Sequence, residues 1–406
     1  MNLDTQLKRV LYGSPLHRTG GKIALAAILV GLFVYALPNF KMYYLTQPLA
    51  MAAALPLTVL IYLPTILVLY FFDRREREAK LLYWGTILAV IFFFGPVASR
   101  TIHLARDYTH LSDWQFVGFV EEPAKILPLV LLLIFARPAI NGTRDGLIYG
   151  ALGGLGFAML ESSAYFALTK FAEQGWSALL TEVVGRAALI GTDIHILFAA
   201  TVGAAIGYGV STKKRWLGVA VIVGVFLLVA LTHGQQDHTI GKVLMVTGSL
   251  AGSSIVLFLA GVPFAQAEQI LHEGSIWYYL MLSFASTINL ILINTINLVI
   301  LFVALWKSGD TERRIVREQL RGEAETLITP EEYAGVEAER RLHLRMPPGY
   351  PKKLARKIRS LQNELAFRKD YVQRHGGDLA SDPPVVALRK QIEAGRATAV
   401  PAGKAG

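Results

Sequence analysis

Glu121, Glu122 and Lys125 open an otherwise apolar run, Phe119-Val-Glu-Glu-Pro-Ala-Lys-Ile-Leu-Pro128. On a helix Glu121 and Lys125 are four residues apart and Glu122 and Lys125 three, so both pairs share one face. A carboxylate at bilayer depth costs about 2.5–3.5 kcal/mol on insertion scales and calls for a partner or a function. One lysine neutralises one carboxylate, so a structural ion pair leaves the other unexplained. Adjacent helix positions point about 100° apart, so one of the two glutamates is expected to face water. Glu122 precedes Pro123, which loosens the helix there and gives water a way in. Lys125 reads as a charge partner before it reads as a catalyst.

Three further apolar runs carry groups of the same kind: Glu161, then Asp193 with His195, then His233 with Asp237 one turn beyond it. Asp193 falls on a different face from His195 and reads as structural; Asp237 is placed to orient the His233 imidazole. Arg186 reads as an interface anchor. Carboxylates with two imidazoles in a water-accessible pocket support two chemistries. They can hold a divalent metal with a water in an open position. Alternatively a glutamate activates water directly while histidine or lysine stabilises the oxyanion. Both hydrolyse a carbonyl compound, and the residue types leave the choice open.

These groups must be positioned by membrane helices. The chain has 406 residues, is 53% hydrophobic and contains no cysteine, which excludes disulfides, thiolate metal sites and a cysteine nucleophile. Nine runs are long and apolar enough to span a bilayer, at 23–39, 49–72, 81–98, 116–136, 146–169, 187–210, 216–233, 243–264 and 276–306. Residues 1–22 are polar and basic with no cleavage pattern, and read as a cytoplasmic segment before an uncleaved first helix. Lys8, Arg9, Arg18 and Lys22 before the first run, Arg74, Arg75, Arg77 and Lys80 after the second, and Lys213, Lys214 and Arg215 after the sixth set the N-terminus in the cytoplasm. The ionisable groups of the fourth to seventh runs then fall in the same outer half of the membrane. Gly146, Gly150 and Gly154, with Ala199, Gly203 and Gly207, give close-packing stripes, and the first of these shares a face with Glu161.

The expected fold is an all-α polytopic bundle of about eight to nine spans over 23–306, with a catalytic core at 115–240 and a soluble, partly helical tail at 307–406. That tail carries 20 of the 40 Lys and Arg residues. Nine spans place this basic tail outside, against the charge rule, so the last two runs conflict with the topology. Thr329-Pro-Glu-Glu332 is a helix start with a capping box. Leu354, Ile358, Leu361 and Leu365 form one stripe of a helix that Gly376-Gly377 stops; it packs on its own tail or on a partner protein. Residues beyond Gly376 read as loose.

Other plans for an intramembrane hydrolase fail. His272-Glu273 lacks the second histidine of a zinc-protease helix. Phe157 in Gly154-Leu-Gly-Phe157 stands where an aspartyl protease needs aspartate, and Ser162-Ser163 has no nearby base. The series Glu121-Glu-x-x-Lys125, Asp145-Gly-x-x-Tyr-Gly-x-x-x-Gly-x-Gly-Phe-Ala-x-x-Glu161, Arg186…His195 and His233-Gly-x-x-Asp237 resembles the PrsW family of intramembrane proteases, related to the CAAX-processing and bacteriocin self-immunity proteases. The resemblance covers about 115–240. It implies that the paired glutamates activate water and that Glu161, His195 and His233 complete the site, with or without zinc. It also implies a membrane-anchored protein substrate such as an anti-sigma-factor-like regulator, cut on the outer side of a bacterial inner membrane. Ser162 departs from the asparagine common in the family, and the tail lies beyond the shared core. A proton- or ion-coupled transporter is the rival reading, although the internal repeats usual in transporters are absent. A third reading is an inactive scaffold acting through its tail. No nucleic-acid partner is expected.

Overall fold

A computed structural model describes residues 11–75, 79–109, 111–324, 326–340 and 343–398. The expected charges at Lys8, Arg9 and Arg77 lie outside them. The described chain is helical, with two isolated β-bridges. The apolar region runs through α1 (Thr19–Leu45), α2 (Pro48–Ile61) and α3 (Leu63–Phe72), which meet at a 48° bend, and α4 (Lys80–Thr109). It continues through α5 (Asp113–Phe135), α6 (Thr143–Tyr165), the short α7 (Ala178–Arg186), α8 (Ile194–Ser211), α9 (Arg215–Gln236), α10 (Thr239–Ala260) and α11 (Ile276–Arg321). Six of these helices qualify as membrane spans by length and apolarity, or eight when each bent pair is one span. α5 is not among them, because its length carries Glu121, Glu122 and Lys125.

Local chemistry sets the helix starts near the site. The Gln115 carboxamide accepts from the Ser112 N–H at 2.9 Å where α5 begins. Asp145 accepts from the Asn141 and Gly142 N–H groups at 2.9 and 3.1 Å where α6 begins. Asp193 caps α8 by accepting from the His195 N–H at 2.7 Å. Each satisfies donors that a helix N-terminus leaves open.

α6 is the axis of the bundle: 20 of its 23 residues are buried, against two of 27 in α1. Neighbouring helix directions follow from the glycine contacts. Gly207 and Gly142 meet at one end of α8 and α6, and His195 and Gly154 meet further along. α9 starts at that same end, where Gly218 meets Gly209, and reaches Trp114 of α5 at Gly234. α11 is antiparallel to α10, with Gly252 beside Met281 and Gly248 beside Ala285 and Asn289. At its far end Glu312 pairs with Arg144, at the start of α6. α10 therefore runs in the same sense as α9 and is not a return pass. That difference removes the conflict in the nine-span reading, because α11 now brings the tail back to the side of the N-terminal segment. Ser14 Oγ donates to the Phe135 carbonyl on that side. Arg75 lies 4.0 Å from Glu312 and donates to the Arg340 carbonyl at 2.8 Å, and Arg374 donates to the Asn141 carbonyl at 3.3 Å.

The tail is a packed helical unit. α12 (Pro330–Glu337) starts at the Thr329 capping box. α13 (Lys352–Arg374) buries Ile358, Leu361 and Leu365 against its own unit. The loose end expected beyond Gly376 is instead α14 (Pro383–Ala397), capped by Asp382 and buried through Val385, Leu388 and Ile392. Pro383 and Pro384 sit in its first turn, where proline starts a helix instead of stopping it.

Glu323 ties α11 to α13 and α14, taking 2.7 Å from Lys369 and 2.6 Å from Arg389. Burial raises its pKa, but the two cations outweigh this and hold it below the ordinary carboxylate value. A lowered folded-state pKa gives stability that is complete above the unfolded value and is lost as pH falls through the folded one. Glu323→Gln should therefore weaken the tail by about 1–3 kcal/mol at pH 7. The deficit should close below about pH 4. Hydrogen exchange across 307–398 in the purified chain measures it; a pH-independent deficit would remove the ionic explanation.

Candidate active site

Adjacent glycines on α6 bring the site helices together. A Cβ at Gly153 would lie 1.9 Å from the Lys125 carbonyl oxygen of α5, and one at Gly154 would lie 2.3 Å from the His195 carbonyl oxygen of α8. The backbone of each functional residue therefore rests on a bare patch of α6. Gly118 meets the Ala230 carbonyl and Gly234 the Trp114 carbonyl in the same way, which brings α9 and His233 against α5. None of these contacts is with a flexible side-chain end, so an added methyl must move a helix. Gly154→Ala should cost about 1–3 kcal/mol or more through overpacking and lower activity by more than its loss of folded protein, because it displaces His195 directly. Cleavage per folded molecule, after thermal-melt correction, is the measurement.

The expected residues Glu121, Glu122, Lys125, Glu161, His195 and His233 come together in one network. Lys125 Nζ donates to Glu122 Oε1 at 2.7 Å and to His195 Nδ1 at 2.8 Å, and stands 3.4 Å from Glu121 Oε2. It also lies 4.5 Å over the Phe157 ring. His233 Nδ1 meets Glu122 Oε1 at 2.8 Å, which leaves its Nε2 3.5 Å from Glu121 Oε2. His195 Nε2 lies 2.6 Å from Glu161 Oε2, and Arg186 donates to Glu161 Oε1 at 3.0 Å.

The two adjacent glutamates differ in access. Glu122 is fully buried and holds Lys125 and His233. Glu121 keeps 13% of its side chain exposed and, with Glu161, lines two cavities of about 480 and 640 Å³. Its Oε2 is buried with no hydrogen-bond donor.

Three site carboxylates, Glu121, Glu122 and Glu161, face two fixed cations, Lys125 and Arg186. The donor set therefore fits a further positive charge. One ligand atom each from Glu121, His195 and His233 lies within 4.8 Å of the others, with nitrogen and oxygen chemistry suited to a divalent metal. Glu121 stands in this group where Glu161 was expected; Glu161 instead buttresses His195. His195 can offer a ring nitrogen only by releasing Lys125 or Glu161.

Three assignments from the sequence change. The His233 imidazole is oriented by Glu122, not by Asp237, which is exposed on the rim of the larger cavity. Arg186 is not an interface anchor but the partner of Glu161, stacked over Tyr165 at 4.7 Å. Its position nine residues before His195, across a non-helical connection, hid this from helix periodicity. Asp193 is structural, as its face suggested, in the form of the α8 cap. Gln236 and Asn289, polar residues of the larger cavity, went unread because neither ionises. Gln236 lies three residues after His233, a spacing that shares its face.

Residues 77–267 match the model of the PrsW family intramembrane metalloproteases. The chain is 28% identical over 198 residues to the protein described as "Protease PrsW" of Clostridioides difficile (strain 630), across 45% of this chain and 78% of that relative. No solved structure matches the chain significantly. The matched segment contains every residue of the network.

Proposed function

We propose that this chain, a peptidase of the PrsW kind embedded in the membrane, hydrolyses a peptide bond of a membrane-tethered protein in the outer half of the bilayer, with Glu121 receiving the proton of the attacking water. The observation that carries this is Glu121: its Oε2 is buried without a hydrogen-bond donor between His233 Nε2 and Lys125, and its side chain lines both cavities. A carboxylate so placed is within reach of a water on either side. Glu122 does not share this role: it is fully buried, lines neither cavity, and its Oε1 is committed to Lys125 and His233.

The residues divide the work. Glu122 fixes the His233 ring through Nδ1 and keeps Nε2 turned to the cavity. Glu161, held by Arg186, orients the His195 ring through Nε2, while Lys125 meets its Nδ1. Lys125 supplies the positive charge that lets Glu121 and Glu122 coexist in a dry site and stands ready to stabilise an oxyanion. Glu121, His195 and His233 are the residues that would hold a zinc ion, and in that form Glu121 would be a ligand, its role as proton acceptor belonging to the metal-free form. When bound, such an ion acidifies a water and polarises a carbonyl.

Depth supports the outer-half reading. From the end of the bundle that bears the N-terminal segment, Gly154 is about 17 Å along α6 and Glu161 about 27 Å at 1.5 Å per residue. The hydrocarbon core is about 30 Å thick. The basic loops at Arg74, Arg75 and Lys80 and at Lys213, Lys214 and Arg215 assign that end to the cytoplasm, which suits the inner membrane of a bacterium. A single-span membrane-anchored regulator of the anti-sigma-factor type fits such a site.

The test is reconstitution in liposomes with doubly tagged single-span substrates, mapping the cut by mass spectrometry and measuring bound metal by elemental analysis. The expected result is a cut in the outer half of the span. Cleavage by metal-loaded protein confined to the soluble part of the substrate, or none at all, would overturn the proposal. Zinc near one equivalent, lost in His233→Ala, would favour the metal form; full cleavage after chelation would favour glutamate alone.

A further inference from the structure

The larger cavity contains polar groups that the chemistry above leaves unused. Gln236 on α9 and Asn289 on α11 both line it, and the side-chain oxygen of each is buried without a hydrogen-bond donor. An amide oxygen left so costs about 1–3 kcal/mol relative to a paired one. The neighbouring hydroxyls do not relieve them. Ser249 Oγ donates to the Met245 carbonyl at 2.9 Å, and Ser286 Oγ donates to the Gly185 carbonyl. Room for Asn289 is built in, since a Cβ at Gly248 would lie 2.7 Å from Asn289 Oδ1. Gln236 is one turn beyond His233 on the same helix, and the cavity reaches from there to Glu121, Glu161 and His195.

A substrate span presents a matching need. In a membrane helix every N–H and C=O is bonded within the helix. A peptide bond becomes open to attack only when its segment unwinds, and each backbone group then orphaned in an apolar setting costs several kcal/mol. A carboxamide carries both an acceptor and donors, and so can pair with a peptide unit.

We propose that Gln236 and Asn289 form a subsite that binds the main chain of the unwound, extended substrate segment beside the scissile bond, each carboxamide oxygen accepting a backbone N–H. The subsite rests on the peptidase reading above and names what that site recognises: exposed peptide backbone, without regard to side chain. It predicts that cleavage follows the ease of unwinding the span and not a strict residue at each position.

The experiment uses synthetic single-span substrates in which one backbone N–H at a time, flanking the cut, is replaced by an ester oxygen. Wild type should lose about tenfold in kcat/KM at one or two ester positions, the effect of one neutral hydrogen bond. Asn289→Leu or Gln236→Leu should lose about tenfold with the all-amide substrate and nothing further with the ester at the matching position. Losses that multiply at every position would overturn the subsite. Asn289→Gln, which keeps the carboxamide and adds no charge, should cleave at least about threefold faster than Asn289→Leu and controls for a Leu variant that misfolds. The same matrix is read as substrate affinity in Glu121→Gln protein, where hydrolysis is removed. Absence of cleavage by wild type would count against the peptidase reading, whereas affinities insensitive to both ester and Leu would count against the subsite.

Discussion

Glu121→Gln is expected to lower kcat by about 10³-fold or more while leaving the protein as stable as wild type, or slightly more so. The rate loss follows from removing a positioned proton acceptor, typically 10²–10⁴-fold. The stability result follows from Oε2, which is buried and makes no hydrogen bond although Lys125 stands 3.4 Å and His233 Nε2 3.5 Å away: a neutral amide gives up these long ion-pair contacts and the cost of a buried charge together. Glu122→Gln should behave in the opposite way. It disturbs the contacts to Lys125 and His233 at 2.7 and 2.8 Å, so about 3–5 kcal/mol of stability is at risk. Its rate loss should shrink when activity is counted per folded molecule. Measuring kcat and thermal stability together for the two variants separates the roles. Full cleavage by Glu121→Gln with strong loss in a well-folded Glu122→Gln would reverse the assignment.

How much of this could be read from the sequence depends on whether the signal was local. Glu121, Glu122, Lys125, Glu161, His195 and His233 stood out because ionisable groups are rare and costly in apolar runs. The stripe of Gly146, Gly150 and Gly154 marked the helix face they gather on. Asp193 read as structural from its face, but its place as the cap of α8 was hidden inside the single apolar run 187–210. Which glutamate faces water was not legible, because adjacent positions differ only in rotation, and the rotation of α5 is set by Gly118 against Ala230 of α9 and by Gly153 of α6 against Lys125. Pro123 drew attention to Glu122, yet the proline lies inside a continuous α5 and Glu122 is the sealed residue. The direction of α10 was hidden for a similar reason: apolarity gives length, not direction, and only the antiparallel contact with α11 shows it. The stretch beyond Gly376 read as loose, although Pro383-Pro384 within it starts a helix. Gln236 and Asn289 carry no charge and produce no anomaly in a hydropathy profile; their importance appears only once their oxygens are found without donors.

Lys125→Met should be the most damaging single change in the chain. Lys125 is fully buried, contacts Glu122, Glu121 and His195, and lies over Phe157. Its loss leaves three carboxylates facing Arg186 alone, and breaking a buried pair from one side costs about 3–5 kcal/mol. That is a large share of the roughly 5–15 kcal/mol typical of a native protein, so little folded protein is expected. The double variant Lys125→Met with Glu122→Gln removes a charge of each sign and should be more stable than the lysine variant alone by about 2 kcal/mol or more, a coupling of the size found within one buried network. Its activity should nevertheless stay low, because the amide that replaces Glu122 holds the His233 ring less firmly. Recovered fold without recovered cleavage would show that the buried pair serves both stability and positioning. If instead the double variant cleaves at the wild-type rate, neither Lys125 nor Glu122 positions the reaction, and the chemistry belongs to Glu121, Glu161 and the two histidines alone.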